Sequence, residues 1–115
     1  MSQQQRELAD RRGLRFTFDG TADVTMEGAA DRLRARVTEL SFRVCYLETA
    51  TALKQKQRLQ VKISHSNETF EAPAEVIYLR PGGAGVMFGV IEPRFRNVLQ
   101  DWILTELDNQ RDQEL

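Results

Sequence analysis

The sequence predicts a mostly β domain that is closed by one C-terminal amphipathic α-helix. At 115 residues, the chain has room for one domain with one hydrophobic core. Most of its length consists of short stretches in which apolar and polar residues alternate, separated by turn residues. The last part of the chain changes to the spacing of one helical face. Such a series of short strands is typical of a small antiparallel barrel or sandwich.

The clearest strand contains Leu33, Ala35 and Val37, which alternate with arginines that are expected to face the solvent. Pro73 indicates an edge or bulge position in a later strand, because proline cannot donate a hydrogen bond to the ladder. Further strands are predicted at residues 14–18, 24–26, 44–47, 59–63, 70–79 and 86–90. Turns are predicted at residues 19–20, 27–28, 64–67 and 81–83.

The C-terminal segment has the pattern of an amphipathic helix that begins at Pro93, a residue that suits the first helical turn. The apolar residues that recur on one face are Phe95, Val98, Leu99, Trp102, Ile103 and Leu107. Residues 108–115 are expected to form a polar C-terminal tail, and residues 1–10 a flexible N-terminal arm. The folded domain is therefore expected to span residues 11–107.

Composition and charge argue against several classes of protein. The 16 basic and 17 acidic side chains leave a net charge of −1, so no global field attracts nucleic acid or an anionic membrane. No apolar stretch follows Arg6, which argues against a signal peptide, and no apolar run is long enough to span a membrane. The single cysteine, Cys45, fits a reducing compartment. We therefore expect a cytoplasmic protein that neither binds DNA nor inserts into a membrane.

The residues that carry most enzyme chemistry are scarce. His65, the only histidine, lies among serines and an asparagine and is expected to be a solvated turn residue. Cys45 lies mid-strand and is expected to be a buried, inert thiol. One cysteine and one histidine cannot build a structural zinc site, and the glycines at 82, 83 and 85 lack the sequence of a phosphate-binding loop. The sequence therefore predicts no enzymatic activity, no metal and no cofactor.

Three arginines, Arg11, Arg12 and Arg15, lie at the junction between the arm and the first predicted strand. Guanidinium groups bind phosphates in a bidentate manner and stack on planar bases. The alternative interpretation is a solvated charge cluster, which is the commoner meaning of an isolated pattern of this kind.

The order and separation of three motifs resemble the PilZ domain family, bacterial receptors of the second messenger cyclic di-GMP. The family's Arg-x-x-x-Arg motif is matched by residues 11–15, and its Asp/Asn-x-Ser-x-x-Gly motif corresponds to residues 39–44. Residues 85–88, Gly-Val-Met-Phe, are similar to the family's Gly-Val-x-Phe strand, and a closing helix follows. The resemblance covers residues 11–107 and implies a six-stranded antiparallel β-barrel.

The resemblance also implies a binding site for cyclic di-GMP, a ligand rather than a cofactor. Arg11 and Arg15 match the motif arginines that clamp the phosphates and stack on the guanines of an intercalated cyclic di-GMP dimer. Arg12 is the adjacent helper that many members carry, and Ser41 matches the serine of the second motif. Tyr78 falls where members often carry an aromatic residue, so it is a base-stacking candidate or, alternatively, a partly exposed barrel tyrosine.

Two positions of the second motif depart from the family pattern. Glu39 stands where Asp or Asn is usual; its carboxylate still accepts N–H bonds from guanine, but the extra methylene adds rotamer entropy. Val44 replaces the glycine, where a positive φ would cost about 1–3 kcal/mol. The turn is therefore expected to re-form, for instance as a strand continuation through residues 42–45. Arg43 beside it is either an extra phosphate partner or a solvated side chain.

Two functional hypotheses follow. In the first, the protein is a cyclic di-GMP sensor in which the nucleotide orders the arginine arm and presents a new surface to a protein partner. In the second, it is a divergent PilZ-like adaptor that acts by protein contact without nucleotide. A barrel that binds single-stranded nucleic acid is disfavoured, because the arginines at 32, 34 and 36 lack interleaved aromatic residues. Neither hypothesis identifies the partner.

Overall fold

The computed structural model describes the backbone of residues 15–114 and the side chains of residues 15–109. Six strands and one helix follow one another along this part of the chain. They are β1 (Phe16–Met26), β2 (Arg32–Leu40), β3 (Val44–Glu48), β4 (Arg58–His65), β5 (Glu68–Arg80), β6 (Gly83–Phe88) and α1 (Pro93–Glu114). The predicted N-terminal arm, Arg11 and Arg12 lie outside the described residues.

The strands form a closed antiparallel barrel in the order β1-β2-β3-β6-β5-β4. This confirms the six-stranded antiparallel barrel with a C-terminal helix. Successive residues of a strand point to opposite faces, so the apolar member of each alternating pair faces inward. The fully buried side chains include Val24, Val37, Leu47, Ile63, Val76 and Val86. Within residues 15–109, no polar or charged side chain is buried in this core.

Helix α1 covers a seam in the barrel wall. β1 pairs with β4 only from Thr21 onward, so the first residues of β1 have β2 as their only neighbouring strand. The helix packs against β1 and β5 at this seam. The Trp102 ring centroid lies 5.4 Å from that of Phe18 and 6.3 Å from that of Phe70. Burial of a large apolar side chain is worth roughly 1.5–3 kcal/mol, so this face holds the helix in place.

Asp19 and Gly20 do not form the predicted turn. Both lie inside β1, whose register against β2 shifts between Thr17 and Gly20. This shift is a β-bulge, which bends the strand and increases its twist. A Cβ atom on Gly20 would lie 2.6 Å from Cε2 of Phe18, so only glycine fits beside this ring. The Asp-Gly pair therefore marks a bend within the barrel wall rather than a chain reversal.

His65 is not the solvated turn residue that the sequence predicted. It ends β4 and is half-buried, with its ring centroid 4.3 Å from that of Phe18 and 5.5 Å from that of Trp102. Its Nδ1–H donates to the carbonyl oxygen of Asp19 at 2.8 Å. The polar neighbours in the sequence suggested a solvated site, but the β1 bulge and the helix bring aromatic rings to this position.

The remaining turns agree with the sequence. Ser66 and Asn67 have φ values of 50° and 63°, as a two-residue hairpin requires, and Gly82 has a φ of 85°. Pro73 lies where β5 runs past the end of β6, so its missing N–H leaves no ladder bond unmade.

Helix α1 continues to Glu114, whereas a polar tail was expected after residue 107. Within the described part of the chain, no helix is long and apolar enough to cross a bilayer.

Candidate ligand-binding face

Five residues form a cross-strand row on the outer face of the barrel, which we call the tyrosine row. Residues directly opposite each other in neighbouring antiparallel strands project from the same face. Thr17 of β1 lies opposite Glu39 of β2, which in turn lies opposite Tyr46 of β3. Gly85 of β6 lies opposite Tyr46 on one side and Tyr78 of β5 on the other. The row therefore runs across five of the six strands.

Two β-bulges place Glu39 and Tyr78 on this outer face. The β2–β3 register shifts between Val37 and Glu39, and the β5–β6 register shifts between Val76 and Tyr78. Val37 and Val76 point inward and are fully buried, so strict alternation would also point Glu39 and Tyr78 inward. Because each bulge adds a residue to one strand, both side chains are turned outward instead.

The two tyrosine rings rest on glycines of β6. A Cβ atom on Gly85 would lie 2.7 Å from Cδ2 of Tyr78 and closer still to Cε2 and Cζ. A Cβ atom on Gly83 would lie 2.7 Å from Cζ of Tyr46. The two rings are nearly parallel, with an interplanar angle of 23° and a centroid distance of 6.4 Å. The glycines thus let both rings lie low on the barrel surface.

Two guanidinium groups lie against these rings. Arg15 donates a hydrogen bond from Nη1 to the hydroxyl of Tyr78 at 2.5 Å, and its Cζ is 5.3 Å from the ring centroid. The Cζ atom of Arg80 is 4.9 Å from the centroid of Tyr78 and 5.9 Å from that of Tyr46. Neither arginine forms an ion pair with a carboxylate of the described residues. Both guanidinium groups therefore lie on the rings without a carboxylate of the described residues within ion-pair distance.

Ser41 organises the turn between β2 and β3. Its Oγ accepts a hydrogen bond from the N–H of Val44 at 3.0 Å and donates one to the carbonyl of Val44 at 3.1 Å. Its own N–H donates to the same carbonyl at 2.8 Å. The hydroxyl is thus engaged with the backbone of the turn.

Val44 is accommodated without a positive φ. It begins β3 and pairs with Met87 of β6, and it is absent from the positive-φ positions among the described residues. The expected strand continuation is only partly realised, because Phe42 and Arg43 lie in a bend ahead of β3. The Ser41 turn closes onto Val44 and bends these two residues, although the Arg43 carbonyl still accepts a hydrogen bond from the N–H of Phe88 at 2.8 Å. Arg43 is exposed there and forms no ion pair with a described carboxylate.

The structure thus brings together Arg15, Glu39 and Tyr78 of the residues that the sequence singled out. Ser41 and Arg43 lie in the adjoining turn, and Arg11 and Arg12 lie outside the described residues. Tyr46 and Arg80 also belong to this face and were not predicted from the sequence. The sequence contained an indication of both positions. Tyr46 alternates with the buried strand residues on either side of it, which places it on the outer face. Arg80 follows Tyr78 by two positions and therefore shares its face.

Comparison with known proteins identifies the fold family. The sequence profile of the PilZ domain family matches residues 5–105. This chain belongs to the PilZ domain family. The match covers both motif regions, the barrel and most of the helix of this PilZ domain. None of the curated proteins matches it in sequence.

Solved structures share the fold of this PilZ domain. The PilZ domain with c-di-GMP of YcgR from Escherichia coli has a TM-score of 0.70 and 18% identity, with 91% of this chain and 97% of that chain covered. YcgR from Escherichia coli in complex with c-di-GMP has a TM-score of 0.73 and 19% identity over 91% of this chain. The PilZ domain of CeSA from a cellulose-synthesizing bacterium has a TM-score of 0.64 and 11% identity, covering 79% of this chain and 95% of that one. This chain spans 49% of the longer YcgR chain, about half its length.

Proposed function

We propose that this PilZ domain is a receptor for cyclic di-GMP, which binds on the tyrosine row. The observation that carries the proposal is the contact between Arg15 and Tyr78, a hydrogen bond of 2.5 Å with the guanidinium 5.3 Å from the ring centroid. Arg15 is the second arginine of the first family motif, and Glu39 of the second motif lies in the same row as Tyr78. Residues of two motifs that are distant in sequence are therefore held on one face.

The chemistry of this face fits the two kinds of group in cyclic di-GMP, phosphodiesters and guanines. The Arg15 guanidinium suits a phosphate oxygen pair, because charge-assisted bidentate bonds are the strong ones. The Tyr78 ring offers a stacking surface, and base–aromatic stacking is worth about 1–3 kcal/mol per base. The Glu39 carboxylate accepts hydrogen bonds from the N–H groups of guanine. Each kind of group in the ligand thus has a partner of matching chemistry.

In this proposal, Ser41 of the second motif holds the backbone of the turn, whereas Glu39 and Arg43 offer their side chains to the ligand. The Ser41 hydroxyl holds the turn that ends β2 next to Glu39. Val44 does not strain this turn, since it lies in an extended strand paired with Met87. Arg43 extends from the same turn as a solvent-exposed cation within reach of an additional phosphate oxygen.

The proposal extends to signalling through the arm. Arg11 and Arg12 precede Arg15 in the sequence, so a ligand held by Arg15 is positioned to recruit their guanidinium groups as well. Ordering the segment before β1 would change the surface that the barrel offers to a protein partner. The PilZ domain of YcgR, which has the same fold, was solved with c-di-GMP, and this supports assigning the same ligand class here.

Calorimetric titration with cyclic di-GMP tests the proposal. The native chain is expected to bind, and the double variant Arg11→Ala/Arg15→Ala to bind at least about 100-fold more weakly, because each lost bond to a charged group is worth about 1.5–3 kcal/mol. The matched control is Arg32→Ala/Arg34→Ala, which removes the same charge from exposed positions of β2. The control should bind like the native chain. Absence of heat for the native chain at high micromolar ligand would overturn the proposal.

One observation favours the alternative function, a nucleotide-independent adaptor. Met87 lies opposite Val44 on the outer face beside the tyrosine row and leaves 43% of its surface exposed. Met87 also lines a surface groove with Phe42 and Ile91, and a contiguous apolar patch often marks a protein contact. If the native chain does not bind cyclic di-GMP while a Met87→Glu variant loses a cellular function that the native chain supports, the adaptor hypothesis is favoured.

A further inference from the structure

We infer that Arg80 and Tyr46 form a second half of the nucleotide site, in which they bind a phosphate and a base beside those held by Arg15 and Tyr78. This inference rests on the proposed cyclic di-GMP function and assigns two contact residues that lie outside both family motifs. Among the described side chains, Arg80 is the one whose guanidinium lies over both tyrosine rings.

Arg80 lies close enough to the tyrosine row for its side chain to reach both rings. Arg80 lies opposite Gly83 at the end of β5, two residues beyond Tyr78 on the same outer face. Two residues of a strand span roughly 7 Å, so the Arg80 backbone is about one side-chain length from the tyrosine row. Its guanidinium nevertheless lies over the row, 4.9 Å from the Tyr78 centroid and 5.9 Å from the Tyr46 centroid. The side chain therefore folds back over both rings.

The turn that follows Arg80 fixes the backbone from which its side chain extends. The turn after Arg80 contains Pro81, whose φ is restricted by its ring, and Gly82, whose φ is 85°. The carbonyl of Gly82 accepts a hydrogen bond from the N–H of Thr49 at 2.9 Å, which ties the turn to the end of β3. The base of the Arg80 side chain is therefore fixed in place. A preformed contact of this kind lowers the ordering cost of binding.

The guanidinium groups and rings of this face match the phosphates and guanines of cyclic di-GMP in number. Cyclic di-GMP carries two phosphodiesters and two guanines, whereas Arg15 and Tyr78 provide one guanidinium and one ring among the described residues. Arg80 provides a second guanidinium that no described carboxylate neutralises, and Tyr46 a second ring nearly parallel to the first. Arginine suits this dual task because its planar group stacks on bases and binds phosphate in a bidentate manner. The face thus has two sets of contacts for a ligand with two halves.

Titration calorimetry on three single variants tests the contribution of Arg80. Arg80→Ala is expected to weaken cyclic di-GMP binding by about 10-fold or more, as removal of a charge-assisted bond should. Arg80→Lys keeps the charge but lacks the planar group, and should recover only part of the loss. Arg32→Ala, an exposed arginine at the far end of β2, is the matched control and should leave the affinity unchanged. Thermal unfolding of each variant shows that it remains folded.

The contribution of Tyr46 can be followed by ¹⁹F NMR, because Tyr46 and Tyr78 are the only tyrosines in the chain. Protein labelled with 3-fluorotyrosine gives two ¹⁹F resonances, which the variants Tyr46→Phe and Tyr78→Phe assign. Both resonances are expected to shift with cyclic di-GMP along the same binding curve. If the native chain binds but Arg80→Ala matches it within twofold and the Tyr46 resonance does not move, the inference fails and the proposed function stands. No binding by the native chain overturns both.

Discussion

Replacing Gly85 by alanine tests whether this glycine is required to seat the Tyr78 ring. The new Cβ would lie 2.7 Å from Cδ2 of Tyr78 and closer to two other ring atoms, whereas carbon atoms in contact are normally about 3.5–4.0 Å apart. The ring must therefore move by about 1 Å or more, and since it is half-exposed it can swing toward solvent. That movement loses the packing on β6 and the hydrogen bond from Arg15.

The lost contacts set the size of the effect. Overpacking and the loss of a partly exposed hydrogen bond together give a destabilisation of about 1–2 kcal/mol. For a domain of this size, the midpoint of thermal unfolding should fall by about 4–8 °C. If Tyr78 stacks on the ligand as proposed, the same substitution also weakens cyclic di-GMP binding.

A double-mutant cycle isolates the contact between Gly85 and Tyr78. Tyr78→Ala removes the ring, so Gly85→Ala in that background should cost little or slightly stabilise the fold by reducing the entropy of the unfolded chain. Urea unfolding of the native chain, the two single variants and the double variant gives the coupling free energy. An equal cost of Gly85→Ala in both backgrounds would refute the reasoning, because the glycine would then serve the backbone rather than the ring.

Three further substitutions probe the surroundings of the row. Gly83→Ala should destabilise the fold by about 2–3 kcal/mol in urea unfolding, because the new Cβ meets the carbonyl oxygen of Leu47, a backbone atom that cannot swing away. Ser41→Ala removes the side-chain hydrogen bonds of its turn and should cost about 1–2 kcal/mol, and recovery by threonine would show that the hydroxyl is responsible. Burial raises the pKa of the Cys45 thiol from 9.0 to about 12, so the unfolded chain ionises at lower pH than the folded one. Stability should therefore decline as the pH rises above about 9, and a Cys45→Ala variant should show a smaller decline.

Local patterns in the sequence predicted the helix and most of the strands, but not the continuation of β1 through Asp19 and Gly20. Leu59, Val61 and Ile63 alternate with polar residues and are all buried in β4, because an alternating pattern has only one way to bury its apolar side. The helical spacing of Leu99, Trp102 and similar residues predicted the packed face of α1 for the same reason. These features depend on residues that are close together in the sequence of one strand or helix, so the sequence is enough to predict them.

The residues that break the alternating pattern could be placed correctly only from the structure. Strict alternation from Val37 or Val76 would turn Glu39 and Tyr78 inward, and only the bulged registers show that both face outward. His65 likewise lies on Trp102 because the helix returns to the barrel seam. A bulge depends on how two strands pair, and a polar residue at a strand end takes its environment from a distant element. Neither is determined by adjacent residues.

The closing helix and most of the strands could be predicted from the sequence, and the order of its motifs indicated the PilZ domain family to which the chain belongs. The composition of the outer face depends on the tertiary structure. Arg15 and Tyr78 are 63 positions apart in the chain, and Arg80 meets Tyr46 across the glycine-bearing strand β6. Such contacts follow from barrel closure and from the registers set by the bulges, because a shift of one residue would turn each side chain to the opposite face.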